Sequence, residues 1–388
     1  HQLKINEPNK KICVIEKEAE IGLHSSGRNS GVIHAGIYYT PGTLKSRLCM
    51  EGSKRLKKWC KEQNIEVLEC GKVITPQDIN LDFQLDNLLS MGKKNGAVVE
   101  IINKNKFQEL VPNGRTSSGR AIWSPNTSIV SPLKVMRKLY EELITEGIDF
   151  LFNNKLVKFC ASEQAVISKN NSYSIEYKIK FRHLFNCSGL QSDEVGKLFN
   201  LGKNLSLIPF KGIYWELKKK HNLIFDKNLY PVPDLNMPFL GVHVTPSIEN
   251  KIYLGPTAIP ALGSENYYGL EGFEPLKTFK NFGIMINQFI NNENKFRNYA
   301  SDQALLGFKY LFFKSAQKLI PSLEIEDIIP CRKVGIRPQL YDNTTRKFLT
   351  DFYIEKNSCS THVLNAISPA FTASFAFADY VINCGLRK

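Results

Sequence analysis

Lys11–Glu18 reads KICVIEKE, and Ile21–Tyr39 reads IGLHSSGRNSGVIHAGIYY. Ile12, Cys13, Val14 and Ile15 form a continuous apolar run, the pattern of a strand buried on both faces of a parallel sheet. The run ends in Glu16. An acidic residue at the end of the second strand of a dinucleotide-binding fold holds ribose hydroxyls, about 20 residues after a glycine-rich loop. A βαβ unit needs about 30 residues, yet 15 precede Glu16 and no G-x-G occurs in the chain. Two readings stay open: Glu16 is an ordinary strand-end charge, or the first strand and its glycine loop lie upstream of His1. On the second reading a central strand is absent and its neighbours' edges are unpaired. The 388-residue chain then holds its nucleotide weakly and aggregates readily.

Outward from that strand, Ile21–Tyr39 is too glycine-rich for a regular helix. Its small residues let backbone approach a ligand, and its N–H groups suit an anion. Arg28 is able to pair with phosphate, Asn29 and Ser30 to donate and accept, and His34 is the best-placed base. Thr43–Cys60 has helical periodicity, with Leu44, Leu48, Gly52 and Leu56 on one face. Ser131-Pro132 opens another helix, with Ser as N-cap and Pro at the first position. Leu184–Cys187 reads as a strand, and Ser188-Gly189 turns toward a helix near Ser192. From Ser206 to Pro256 strands alternate with prolines, as in an antiparallel sheet. Phe273–Ile320 returns to helical spacing, and Thr361–Asn365 leads through Ala366–Ala370 into a helix ending near Ile382.

This order predicts α/β plus α+β structure: a discontinuous Rossmann-like nucleotide-binding domain with an inserted substrate domain that contains a largely antiparallel sheet. The expected boundaries are 1–75, 126–205 and 325–388 for the first, and 76–125 and 206–324 for the second.

Composition excludes several classes. Apolar residues are 43% and charged residues 23% of the 388, which rules out disorder and fibres. No apolar run of about 18 residues suggests a membrane span. The formal charge of +14 permits acidic metabolites or anionic lipid as partners, but no nucleic-acid motif accompanies it. Nine cysteines without a C-x-x-C read as reduced thiols of a cytoplasmic-type compartment. Neither G-x-S-x-G nor H-E-x-x-H occurs, so neither a hydrolase nucleophile nor a metal site is expected. Arg332-Lys333-Val334-Gly335-Ile336-Arg337-Pro338 offers arginines, the bidentate partners of carboxylates. Ser368-Pro369-Ala370 is an anion-facing helix start, and His243 and Tyr253 lie on expected strands.

The runs 14–52, 185–198 (FNCSGLQSDEVGKL), 209–217 (PFKGIYWEL), 230–258, 331–340 (CRKVGIRPQL) and 362–381 (HVLNAISPAFTASFAFADYV) follow one another along the whole chain. Together they resemble the L-2-hydroxyglutarate dehydrogenase/oxidase family, FAD-dependent enzymes of the D-amino-acid-oxidase-like superfamily. The resemblance implies bound FAD and oxidation of L-2-hydroxyglutarate to 2-oxoglutarate. It implies that Glu16 holds the adenosine ribose and that Arg28, Asn29 and Ser30 line the pyrophosphate and flavin. Gly189 then sits by the cofactor, and Ser368, Pro369 and Ala370 face the flavin pyrimidine edge. His34 is implied near the reacting carbon, with Arg337 as its catalytic companion, and Lys211, His243, Tyr253 and Arg337 face the substrate. Oxygen and a membrane quinone are both open as electron acceptors, and peripheral contact at the inner membrane is open beside a cytoplasmic location. A related flavoenzyme acting on an amino acid or amine, and a noncatalytic basic binding module, are the alternatives.

Overall fold

The structure, a computed structural model, describes residues 1–220, 223–233, 240–292 and 296–386. Cys13–Ile15 forms the expected parallel strand, paired with Asp149–Leu151. Leu184–Asn186 pairs in parallel with Ser360–Asn365, which pairs antiparallel with Tyr353–Lys356 on its other side. Among the described residues no strand ladder joins these two groups. The Pro132–Thr145 helix leads into Asp149–Leu151, with Pro132 in its first turn. Ser131 stands at the N-cap, but its side chain makes no cap hydrogen bond. Asn154–Cys160, Ala165–Asn170 and Glu176–Lys180 form a separate antiparallel meander.

The other large element is a ten-stranded sheet. Every pairing in it is antiparallel except that of Asn228–Pro231 with Lys72–Thr75. Its spine is the pair Leu205–Leu217 and Ile328–Asp342, in which Phe210 lies opposite Arg337 and Gly212 opposite Gly335. Ile328–Asp342 and Lys72–Thr75, assigned from sequence to the nucleotide-binding part, are strands of the large sheet.

Alternate residues of a strand face opposite sides. Val73 therefore packs with Leu229, Val244, Leu254 and Ile328, while Ile74 packs with Ile37, Leu85, Leu88 and Tyr230. The same rule sends Lys72 to the side of Ile74.

Two helices close over the other side of the site. Leu44–Glu62 is capped by Thr43, whose side chain accepts from Ser46 N. The Asp351 carboxylate accepts from Leu44 N at 2.8 Å and Lys45 N at 3.0 Å, a favourable charge at a helix N-terminus. The Ala370–Leu386 helix packs against it. At the crossing, a Cβ on Gly52 would sit 2.5 Å from Ala373 Cα and 2.7 Å from Thr372 O. Only a glycine permits that approach.

Gly52→Ala should therefore force the helices apart. Overpacking of this kind costs about 1–3 kcal/mol, so the thermal midpoint should fall. An unchanged melting curve would show that the crossing is free to slide.

Candidate active site

A cavity of ≈ 670 Å³ lies where the glycine-rich loop, the start of the Ala370–Leu386 helix and the spine of the large sheet converge. Arg28, Asn29, Ser30, His34, Gly189, His243, Arg337, Ser368, Pro369 and Ala370 all line it. Asn29 shapes the loop: its Nδ2 donates to Ser26 O at 2.8 Å and its Oδ1 accepts from Gly31 N at 2.9 Å. The loop rests directly on the sheet, since a Cβ on Gly335 would come within 2.5 Å of Arg28 O. Arg28 stacks over Tyr267, 4.2 Å from the ring centroid, and donates from Nε to Leu23 O.

His34 is held through its backbone. Its N–H donates to Thr372 Oγ1 at 3.1 Å, and that hydroxyl donates to Val32 O at 3.2 Å. The side chain is left to the cavity, and its Nδ1 has no hydrogen-bond partner among the described residues. Burial first, then Lys72, His243 and Arg337, hold its pKa well below the ordinary 6.5. His34 is a neutral imidazole at pH 7, able to take a proton.

His243 is a second neutral imidazole with a fixed tautomer. Its Nδ1 lies 2.8 Å from Gly241 O. A carbonyl only accepts, so Nδ1 carries the hydrogen and Nε2 keeps its lone pair. Burial first, then Lys72 and Arg337, push its pKa down to about 3 against the partial support of the Gly241 bond. The ring stacks on Tyr230 at 3.8 Å.

Lys72 went unnoticed in the sequence. It is 1% exposed, with Nζ 4.0 Å from the Tyr230 ring centroid and 5.1 Å from that of Tyr38. Two groups this close to one ring centre occupy opposite faces, so Tyr230 is sandwiched between Lys72 and His243. No carboxylate or carbonyl accepts from Lys72 Nζ among the described residues. Burial pushes its pKa down to about 7, opposed by Cys49 and Cys70. Nearby Lys45 is lowered to about 8 by burial, with Arg337 adding and Asp351 opposing. No aspartate or glutamate lines the cavity among the described residues.

Three expected site residues lie elsewhere. Lys211 is on the opposite face of its strand from the cavity-lining Phe210 and Gly212, and donates to Asn266 Oδ1 at 2.8 Å. Tyr253 faces Lys333, whose Nζ is 4.3 Å from its ring centroid. Both were expected to face the substrate, and neither is among the residues that line this cavity. Glu16 ends its strand as expected, but its Oε1 accepts from Glu18 N at 3.0 Å and it is not part of the cavity wall. Glu18, His24 and Glu265 bring ligand atoms together in the manner of a metal site, yet Lys17 Nζ sits among them, 2.7 Å from Glu265 and 2.8 Å from His24.

Comparison with known proteins accords with this geometry. The profile of the DAO family, FAD dependent oxidoreductases, matches residues 2–383, and the chain belongs to that family. It is 34% identical to the mitochondrial L-2-hydroxyglutarate dehydrogenase of Nematostella vectensis, covering 98% of this chain and 86% of the relative. It is 30% identical to the L-2-hydroxyglutarate dehydrogenase of Escherichia coli K12, covering 97% and 87%. Among solved structures, L-alpha-glycerophosphate oxidase from Mycoplasma pneumoniae, with FAD bound, has a TM-score of 0.73 at 17% identity, covering 96% of this chain and 88% of that one. Glycine oxidase from Geobacillus kaustophilus has 0.69 at 12% identity, covering 99% and 91%. The cofactor is FAD, and the wall fits it. Gly189 is at φ +58° with open space where a Cβ would lie, and the Ser368–Ala370 helix start suits an electron-rich ring edge.

Below pH 7 the charge on Lys72 opposes protonation of His34 and His243. Lys72→Met removes that charge, so the acid limb of flavin reduction should move to higher pH by roughly one unit. The variant should melt no lower than the parent, because a buried cation without a counter-charge is replaced by an apolar chain. An unmoved limb would leave Lys72 a packing residue.

Proposed function

We propose that the chain oxidises L-2-hydroxyglutarate to 2-oxoglutarate. The observation that carries this reading is a cavity lined by cations and neutral imidazoles and by no carboxylate, in a chain at least 30% identical to named L-2-hydroxyglutarate dehydrogenases over nearly its whole length. Arg337 takes one carboxylate through its planar fork. His34 takes the hydroxyl proton, and its low pKa keeps it unprotonated until substrate arrives. His243, turned by Gly241, presents Nε2 as a hydrogen-bond acceptor for a substrate hydroxyl. Bound FAD supplies the hydride acceptor. Arg28, Asn29, Ser30, Gly189 and the Ser368–Ala370 turn would hold it.

The same electrostatics weigh against an amino acid or amine. An ammonium would meet Arg28 and Arg337 with no aspartate or glutamate among the described residues of the cavity wall to receive it, and like charges in a low-dielectric site repel strongly.

A second observation concerns where the enzyme works. No described helix is long and apolar enough to cross a membrane. The Pro275–Asn291 helix nevertheless buries three polar residues, Thr278, Asn281 and Gln288, beside Met285 and exposes Leu276 (88%), Phe279 (75%) and Ile290 (66%). Exposed patches of this kind mark protein, ligand or membrane contact surfaces. We infer that this face rests on a lipid surface, aided by the chain's +14 charge.

L-2-Hydroxyglutarate should bleach the flavin anaerobically and the D-enantiomer should not; equal bleaching by both would overturn the assignment. His34→Ala should slow that reduction by about 10²–10⁴-fold with FAD retained. An unchanged rate would make His34 structural.

The full chain should also co-sediment with anionic phospholipid vesicles, and Phe279→Glu with Ile290→Glu should abolish this. Concentration-dependent dimerisation lost in the same variant, without vesicle binding, would assign the face to a second copy instead.

A further inference from the structure

Arg28 lines the large cavity from the glycine-rich loop, and its side chain is held at two points. Its Nε donates to Leu23 O at 2.6 Å, and the guanidinium lies over the Tyr267 ring, 4.2 Å from the centroid. Its terminal nitrogens make no hydrogen bond or ion pair among the described residues. Tyr267 is itself firmly placed. It is 8% exposed and packs with Leu190, Ala261, Val334 and Ile336. Its hydroxyl lies 2.8 Å from His24 Nδ1, and His24 Nε2 lies 2.9 Å from Glu18 Oε1. The loop that carries Tyr267 is tied from within by the fully buried Asn266. That amide donates from Nδ2 to Gly269 O at 2.8 Å and Glu271 O at 2.9 Å, and its Oδ1 accepts from Lys211 Nζ at 2.8 Å.

A free arginine side chain samples many rotamers, and ordering it on a ligand costs affinity. Stacking on an aromatic face settles the plane beforehand and leaves the outer edge of the fork for a bidentate partner such as phosphate. Two carboxylates stand near enough to compete for that edge. Burial raises the Tyr267 pKa first, but Arg28 lowers it while Glu265 and Glu18 raise it, so all three charges lie around one ring. Lys17 occupies both acids: its Nζ pairs with Glu18 and, at 2.7 Å, with Glu265, to which Gln191 also donates at 3.0 Å. Arg28 therefore keeps its charge for the cavity. We propose that Tyr267 is a positioning residue of the cofactor site, its ring aligning the Arg28 guanidinium for the diphosphate of FAD and His24 setting the tilt of that ring. The proposal rests on Arg28 facing the diphosphate. It gives the 261–272 loop, none of whose residues lines the cavity, a hold on cofactor retention.

The measurement is FAD release from the loaded full chain, followed by the rise of flavin fluorescence on dilution. Tyr267→Leu removes the ring and should speed release roughly tenfold, the loss expected for one desolvated cation–π contact. Tyr267→Phe keeps the ring and should change release by less than about threefold, the share of one hydrogen bond. Arg28→Lys keeps the charge but not the plane. It should release FAD as fast as Tyr267→Leu, and it leaves the packing around Tyr267 untouched. In an Arg28→Ala background Tyr267→Leu should add nothing, whereas a residue that only packs adds the same factor in both backgrounds. Equal factors in the two backgrounds, a Phe variant as fast as the Leu variant, or parent-like release from Arg28→Lys would overturn the role of Tyr267. Unchanged release from Arg28→Ala would overturn the placing of Arg28 at the diphosphate as well. None of these measurements uses the substrate, so the oxidation of L-2-hydroxyglutarate is tested separately.

Discussion

The contact between Gly52 and the first turn of the Ala370–Leu386 helix governs the geometry of the site. Backbone lies on backbone there, at a separation no side chain tolerates. The turn fixed by this contact contains Thr372, whose hydroxyl bridges Val32 O and His34 N. It also follows Ser368, Pro369 and Ala370, which line the cavity. Position of the base and position of the cofactor-facing turn are thus set by one helix crossing. Asp351 adds to it by holding the first turn of the other helix through Leu44 and Lys45. A site assembled from distant parts of the chain gains its precision from such rigid junctions.

Much of this was legible from the residues because it is local. The small residues of Ser25–Gly36, the arginine at 337 and the turn at Ser368–Ala370 each stand out within a few positions, and residues of all three line one cavity. What was illegible depended on parity or on partners. Lys211 sits on a strand, where a shift of one residue exchanges inside for outside, and Pro209 and Gly212 blur the alternation that would fix it. Lys72 stands at the head of KVIT and reads as a polar strand end; only the tertiary approach of Tyr38 and Tyr230 shows that it is enclosed. The Pro275–Asn291 helix was legible as a helix, but periodicity does not say which of its two faces is solvent-averse once polar residues are needed inside. There Thr278 donates to Leu262 O, and Gln288 to Arg346 O and Tyr341 Oη.

The protein thereby presents two opposed environments a side chain apart. On one side of Phe210 lies a chamber of cations and unprotonated imidazoles, suited to a small hydrophilic anion. On the other lies an apolar recess beside the exposed rings and aliphatic chains of the Pro275–Asn291 helix. The large sheet makes this separation possible, because its Leu205–Leu217 strand contributes to both walls.

The chamber's lack of a carboxylate reaches beyond the substrate itself. A cavity walled by Arg28 and Arg337 and by no described aspartate or glutamate attracts dissolved anions, so chloride, phosphate or a shorter diacid will compete for it. Occupancy is then a poor judge of identity. Discrimination falls to the moment of bond breaking, when only a molecule carrying its hydrogen and hydroxyl in the correct hand meets both the imidazole and the flavin. Such an enzyme tells its substrate from its imitators by how fast it reacts more than by how tightly it is held.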